Sequence, residues 1–263
     1  MQAESFNSQQ NPSPPIIDLS TSLSFLLSKK LLLGWSFILV LITLALTWLG
    51  FILTMGLIDD FTGSFFDSGP LRESWWDWIK FSGWWMIKYL YILVSRIVAF
   101  FLAFLLAYSL TTPFYGFLSN SAEKLYWGTD FQGDDGFTLS GILKDLLEGF
   151  KVAAFGILVT IVALMISFVP IIGQICVFLL YTYYSALMFI DYPASRRRWG
   201  LGDKLLWIRH HNGHAMRLGL IPAAITMIPI LNMFLIALIF PLFTVHAALN
   251  FSAVEQFSKS QTS

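Results

Sequence analysis

The chain has 263 residues; 56% are hydrophobic, only 12% are charged, and Lys plus Arg balance Asp plus Glu. Soluble domains carry about 25% charged residues, and a chain of this length cannot hide so much apolar surface in one water-facing core. Composition therefore argues against a soluble enzyme, and zero net charge leaves no broad basic face for nucleic acid.

Charge-free segments separate Lys30 from Asp59, Arg96 from Glu123, Lys151 from Asp191 and Arg217 from Glu255. A spanning helix needs about 20 apolar residues. Each segment is long enough, and the last two are too long for one straight helix. The expected fold is an all-α integral membrane protein with two long transmembrane helices, two Pro-folded, partly penetrating helical hairpins, and surface amphipathic helices.

Taken in chain order, residues 1–18 are rich in Asn, Gln, Ser and Pro and read as a disordered polar tail. They lack the basic start and apolar middle of a cleavable signal peptide. Residues 19–263 read as a single membrane domain. The stretch 19–30 is short and mixed, suited to an amphipathic helix on the membrane surface. The first span is expected over 31–58. From Asp59 to Asp77 acidic residues alternate with Trp75 and Trp76, with Trp78, Trp84 and Trp85 following, which marks a membrane–water boundary. The second span is expected over 79–110.

The region 111–151 reads as a polar connection. Within it Phe137, Leu139, Ile142, Leu143, Leu146, Leu147 and Phe150 recur at helical spacing, which predicts an amphipathic helix along the surface. The last two apolar runs share a pattern: Ser167-Phe168-Val169-Pro170-Ile171-Ile172-Gly173 in one, Thr226-Met227-Ile228-Pro229-Ile230-Leu231-Asn232 in the other. Proline cannot continue a helical hydrogen-bond ladder, and Gly or Asn tolerates a left-handed turn. Hairpins are thus expected over 152–190, turning at Pro170 and Gly173, and over 218–251, turning at Pro229 and Asn232. From Leu218 to Ile228 a helix reaches only about 16 Å, too short for a hydrocarbon core of about 30 Å. The arm after Pro229 is expected to stop at Pro241, so the second hairpin enters and returns. The first has arms long enough to span.

Under this arrangement Lys29, Lys30, Lys124, Lys144, Lys151, Arg196, Arg197, Arg198, Lys204, Arg209, Arg217 and Lys259 fall on one side. Arg72, Lys80 and Lys88 fall on the other. The bias places both termini in the cytoplasm.

An ionisable residue inside a span has a partner or lines water. Arg96 either snorkels, pairs with a carboxylate on a neighbouring helix, or continues a pathway stepping inward from Lys80 and Lys88. Ser28, Lys29 and Lys30 precede the first span, where the lysines either set topology or attract an anion to an inner mouth. Arg196, Arg197 and Arg198 read as an anchor for anionic headgroups of membrane lipids. His210 and His214 have i, i+4 spacing, but no matching carboxylates accompany them, so no metal site is expected. Asp130, Asp134 and Asp135 lack calcium-loop spacing. The single cysteine, Cys176, reads as a small apolar residue. No Gly-rich phosphate loop, nucleophile triad or other cofactor motif appears, so no cofactor is expected and any flow would be passive or ion-coupled.

An ordered set of motifs resembles the CysZ-type sulfate transporter family, related to the eukaryotic etoposide-induced protein family. It comprises Thr112-Pro113-Phe114-Tyr115-Gly116-Phe117-Leu118 with Glu123, Val169-Pro170-Ile171-Ile172-Gly173-Gln174, Asp191-Tyr192-Pro193, Arg209, and Met227-Ile228-Pro229-Ile230-Leu231-Asn232. The resemblance implies sulfate, or another small anion, taken up across a bacterial inner membrane by a homo-oligomer and feeding cysteine synthesis. Anion binding is expected at Ser28, Lys29, Lys30 and Arg209, with Asn120 and Glu123 along the pathway, which Arg96 joins through its position inside the span rather than through the resemblance. Where the family carries Gly-x-Arg before its first long helix, this chain reads Ser28-Lys29-Lys30, which retains charge without the bidentate guanidinium fork. Asn120 stands at the first position of the family's acidic pair, and Glu123 at the second. The alternative is a non-transporting, membrane-organising or scaffold protein of the etoposide-induced type.

Overall fold

A computed structural model describes residues 14–67, 75–128 and 139–261. The stretch around Arg72 and Glu73, the turn with Asp130, Asp134 and Asp135, and most of the N-terminal tail lie outside the described residues. Among the described residues eight helices follow one another: α1 Leu19–Ser28, α2 Lys30–Asp67, α3 Trp75–Trp127, α4 Leu139–Ser167, α5 Ile172–Arg196, α6 Leu201–His210, α7 Asn212–Thr226 and α8 Pro229–Ser260. Among the described residues there is no strand. Among the described residues five helices are long and apolar enough to cross a membrane, within α2, α3, α4, α5 and α8.

The α2–α3 pair forms an antiparallel stem. Leu41, Leu44, Leu49, Leu53 and Leu57 on α2, and Leu90, Leu93, Ile97 and Leu102 on α3, point outward and are exposed. An apolar surface of that extent suits hydrocarbon rather than water. Between the helices Ala99, Ala103 and Ala107 are buried, small side chains that let the two backbones approach. The tip is tied by a hydrogen bond from Tyr91 Oη to Thr62 Oγ1 at 2.6 Å.

Both stem helices outrun the expected spans. With 53 residues α3 is about 80 Å long. It does not end near Leu110 but runs through Pro113 to Trp127, so the first part of the expected polar connection is helix. Proline removes one ladder donor, but hydroxyls restore local bonding: Thr111 donates to Ala107 O at 3.0 Å and Thr112 to Tyr108 O at 3.0 Å. The expected surface helix around Leu143 is likewise not separate. It is the opening of α4, continuous with the first hairpin arm, because no Pro interrupts the sequence between them and the single Gly149 is tolerated within a helix at a cost of about 1 kcal/mol.

The first hairpin turns over 168–171. Gly173 is essential there for space: a Cβ on it would lie 2.3 Å from Ile166 O. The left-handed residue is Ile171, at φ +63°, not Gly173 as the pattern suggested. A β-branched residue is strained in that region, and the turn is fastened around it by Ile172 N–H to Pro170 O at 2.7 Å and Gly173 N–H to Val169 O at 3.0 Å. The second turn differs. Ile228 is extended, as the residue before a proline prefers, and Pro229 opens α8 at its first turn, where its missing N–H costs nothing. Asn232 lies within the helical backbone of α8 rather than at a left-handed position. The arms are also unequal: α7 has 15 residues, whereas α8 has 32 and continues through Pro241 instead of stopping there.

The inner halves of α2 and α3 join α1 and α5–α8 in a packed bundle. Its core holds Leu32, Leu39, Tyr115, Leu118, Phe189, Ile190, Trp207, Phe240, Phe243 and Phe251. Most of Ala237–Ser260 is enclosed, so α8 is the axis of the bundle. At Gly219 a Cβ would fall 1.8 Å from Thr182 O, which brings α7 and α5 into backbone contact. Helix α1 buries Ser22 and Leu26 while Leu23 and Leu27 stay exposed. It does not float on a surface but is clasped to α8: Asn250 accepts from Ile17 N–H at 3.0 Å and donates to Ile17 O at 2.9 Å, and Ser22 meets His246 Nδ1 at 2.9 Å.

Candidate functional site

Two charged places occupy the bundle end of the molecule. The first is the α1–α2 junction. Ser28 Oγ donates to Phe25 O at 2.8 Å, and Lys29 breaks the helix in an extended conformation, its N–H still bonded to Phe25 O. The Lys29 ammonium lies 5.9 Å from the Phe25 ring centroid, a cation–π distance. Phe25 in turn meets Tyr126 edge-on at 5.2 Å, and Trp35 meets Phe117 at 5.5 Å. These aromatic contacts bring the junction to the C-terminal part of α3, where Asn120 and Glu123 sit one turn apart. Ser28, Lys29 and Lys30 are all exposed, and among the described residues neither lysine pairs with a carboxylate.

The second place is buried. Glu123, 2% exposed, is gripped by both guanidinium nitrogens of Arg197, Nη2–Oε2 at 2.6 Å and Nη1–Oε1 at 3.3 Å. Arg197 Nη1 also donates to Pro193 O at 3.0 Å, and its guanidinium carbon stacks 5.0 Å from the Phe251 ring centroid. Nearby, fully buried Lys204 donates to Asp191 Oδ1 at 2.7 Å and Ser195 Oγ at 3.0 Å. Ser195 also donates to Asp191, and Glu148 lies 4.0 Å from Lys204. Arg196 reaches across to Pro113 O at 3.5 Å. The triple arginine is thus not a headgroup anchor as a whole. Arg196 and Arg197 turn inward because buried carboxylates and carbonyls need donors, and only Arg198 is exposed.

The other expected residues are scattered. Arg209 is exposed on α6. Arg96 lies far along the stem, 3.9 Å from Asp59 and 3.4 Å from Met55 Sδ, so a carboxylate on the neighbouring helix is its partner. Lys80 pairs with Asp77 at 3.1 Å, and Lys88 lies over the Trp84 and Trp85 rings at 4.9 and 5.6 Å. Pro170 and Gly173 lie at the remote tip of the first hairpin, and of Pro229 and Asn232 only the backbone is described. Outside the spans, burial and the nearby His211 and Arg217 hold His214 below the usual histidine range. Among the described residues no three metal-ligating side chains converge.

Sequence reasoning missed Arg197, Lys204, Asp191, Ser195 and Glu148 as a unit. The available signal was chemical: a carboxylate such as Asp191 at the end of a charge-free run must find a cation.

The chemistry divides between the two places. Arg197 and Lys204 are already neutralised by carboxylates and act as internal ties. Lys29 and Lys30 lie exposed at a helix junction and, among the described residues, pair with no carboxylate. Fold and charge placement together define an all-helical integral membrane protein with an exposed lysine pair beside a charge-paired bundle. Comparison with known proteins specifies the family. The model of the family described as Sulfate transporter CysZ/Etoposide-induced protein 2.4 matches residues 18–237, and the chain belongs to that family. Among relatives, a sulfate transporter CysZ of Pseudomonas aeruginosa (strain LESB58) is 28% identical over 74% of this chain and 80% of its own length. The sulfate transporter CysZ of Pseudomonas fluorescens (strain Pf0-1) is 26% identical over 59% of this chain, and the match spans 64% of that relative.

Proposed function

We propose that this protein carries sulfate, or a closely similar small oxyanion, across a bacterial inner membrane, with Lys29 and Lys30 drawing the anion to a cytoplasm-facing mouth. The observation that carries the reading is the α1–α2 junction: two exposed lysines, no carboxylate partner among the described residues, and a position beside Asn120 and Glu123. The names of the Pseudomonas relatives support sulfate as cargo, and their bacterial origin supports the inner membrane. The basic bias of one side supports cytoplasmic termini. Assembly of several copies and supply of sulfate for cysteine synthesis complete the proposal. Lysine in place of the family's arginine predicts looser geometric selection among oxyanions, because an ammonium is a point charge without a planar fork.

The test is uptake of labelled sulfate into proteoliposomes. The wild type is expected to exceed empty vesicles, and Lys29→Ala with Lys30→Ala to lose most of that uptake while eluting as a folded protein. Uptake equal to empty vesicles, beside an active Pseudomonas relative, would sink sulfate as cargo. Stable co-purification of partner proteins without flux would favour a membrane-organising role.

A further inference from the structure

Hydroxyl groups on the bundle helices fall into two sets. Most return to their own helix. Thr47, Thr111, Thr112, Thr182 and Thr244 each donate to a carbonyl one turn back, at 2.7–3.0 Å. This is the low-cost way to satisfy a hydroxyl in an apolar setting. Five do not. Ser36 and Thr43 on α2, and Tyr108, Tyr115 and Ser119 on α3, have buried oxygens that make no hydrogen bond of good geometry among the described residues. Thr43, Tyr115 and Ser119 are 0% exposed, and Ser36 is 7% exposed.

Their spacing puts them on one seam. Ser36 and Thr43 are seven residues apart on α2, and Tyr108, Tyr115 and Ser119 recur at seven and four on α3, so each set lies on one helix face. The α2 and α3 sets face each other in the same register that sets Trp35 against Phe117 at 5.5 Å, with Thr43 near the Tyr115 hydroxyl but outside good hydrogen-bond geometry. On α3 the stripe continues one turn further to Glu123. On α2 it begins just inside Lys30, and Thr43 lies about 20 Å along the helix from that lysine.

One residue packs against both tyrosines of the seam. The Phe240 ring lies 4.7 Å from Tyr108, 4.7 Å from Tyr115, 4.8 Å from Phe189 and 6.0 Å from Tyr192, centroid to centroid. It comes from α8 immediately before Pro241, where the ladder lacks one hydrogen bond and a helix bends most readily.

We propose that the seam of Ser36, Thr43, Tyr108, Tyr115 and Ser119 is an internal oxyanion site, and that Phe240 is the plug that closes it. Hydroxyls suit a passing dianion: they replace part of its hydration by donation and, being uncharged, do not trap it. Movement of α8 at Pro241 withdraws the ring and wets the seam. This rests on the transport reading above for its cargo, but wetting of the seam is measurable without transport.

The experiment uses the full chain in vesicles with Cys176→Ser, which removes the single cysteine, and adds Thr43→Cys as a reporter. A small charged, water-soluble methanethiosulfonate is expected to modify it slowly. Adding Phe240→Ala should speed modification about tenfold, saturating sulfate should slow it again, and sulfate flux should rise. Tyr115→Phe added to Phe240→Ala should lower that flux. Phe240→Leu serves as a second, better-packed opening variant should the alanine form elute as aggregate. Equal modification rates with and without the Phe240 substitutions overturn the plug. Acceleration without protection by sulfate overturns the oxyanion site. Accelerated, sulfate-protected labelling without wild-type flux would retain the site and remove the transport reading, while normal flux with an unresponsive reporter does the reverse.

Discussion

The stem and the bundle are built from the same two long helices, but they solve opposite problems. In the stem, α2 and α3 are apolar almost all round, and their exposed leucines have lipid as a partner. The ion pair between its two helices, Arg96 with Asp59, is loose at 3.9 Å with side chains 47% and 63% exposed. In the bundle the same helices meet α5 and α8, and charges are buried in short, specific pairs. Lys204 is 0% exposed and holds Asp191 at 2.7 Å. The difference teaches that apolar length locates this protein in a membrane, whereas polar pairing decides how its inner end is put together.

The sharpest way to break that contrast is at Lys204. Removing one partner of a buried pair costs about 3–5 kcal/mol, so Lys204→Met is expected to abolish the folded peak in fluorescence-detected gel filtration. Restoring much of it with Lys204→Met plus Asp191→Leu would show that the uncompensated charge, not the lost bond, does the damage. An unchanged single variant would end the claim that these pairs organise the bundle.

Close packing in the bundle gives the next effect. Gly219→Ala places a methyl against Thr182 O, and overpacking of this kind costs about 1–3 kcal/mol. A lowered melting temperature by tryptophan fluorescence is expected. An equal or higher one would show that α5 and α7 slide apart freely.

His214 sharpens the comparison through pH. Its pKa lies below the unfolded value of about 6.5, so the unfolded chain takes up the proton more readily than the fold. Stability is therefore full above that pH and declines as pH falls from about 6.5 toward the lowered folded value. Thermal melts of wild type and His214→Gln between pH 7.5 and about 5 should converge at the acidic end, the variant having the flatter profile. Parallel profiles would remove His214 as the cause.

The stem supplies the smallest effect. An exposed pair contributes about 0–1 kcal/mol, so Arg96→Ala should leave the melting temperature nearly unchanged. A loss comparable to Lys204→Met would mean that the stem, too, depends on a specific charge.

Much of this was legible in the order of residues alone. Uninterrupted apolar length dictates membrane helices, since backbone groups in hydrocarbon must bond within their own segment. The breaks near Pro170 and Pro229 follow from the missing proline N–H. Local rules did less well where neighbours intervene: Pro113 and Pro241 sit inside continuous helices, and the left-handed residue is Ile171 rather than Gly173. The α3 stripe of Tyr108, Tyr115, Ser119 and Glu123 was present as spacing but had no meaning until α2 and α8 were set against it. What only the tertiary structure decided are the distant partners: Glu123 with Arg197, Asp191 with Lys204, and Asn250 with Ile17 across 233 residues. Sequence pattern reports which residues share a helix face. It cannot report which faces meet, because that choice is made by packing and charge compensation among helices far apart in the chain.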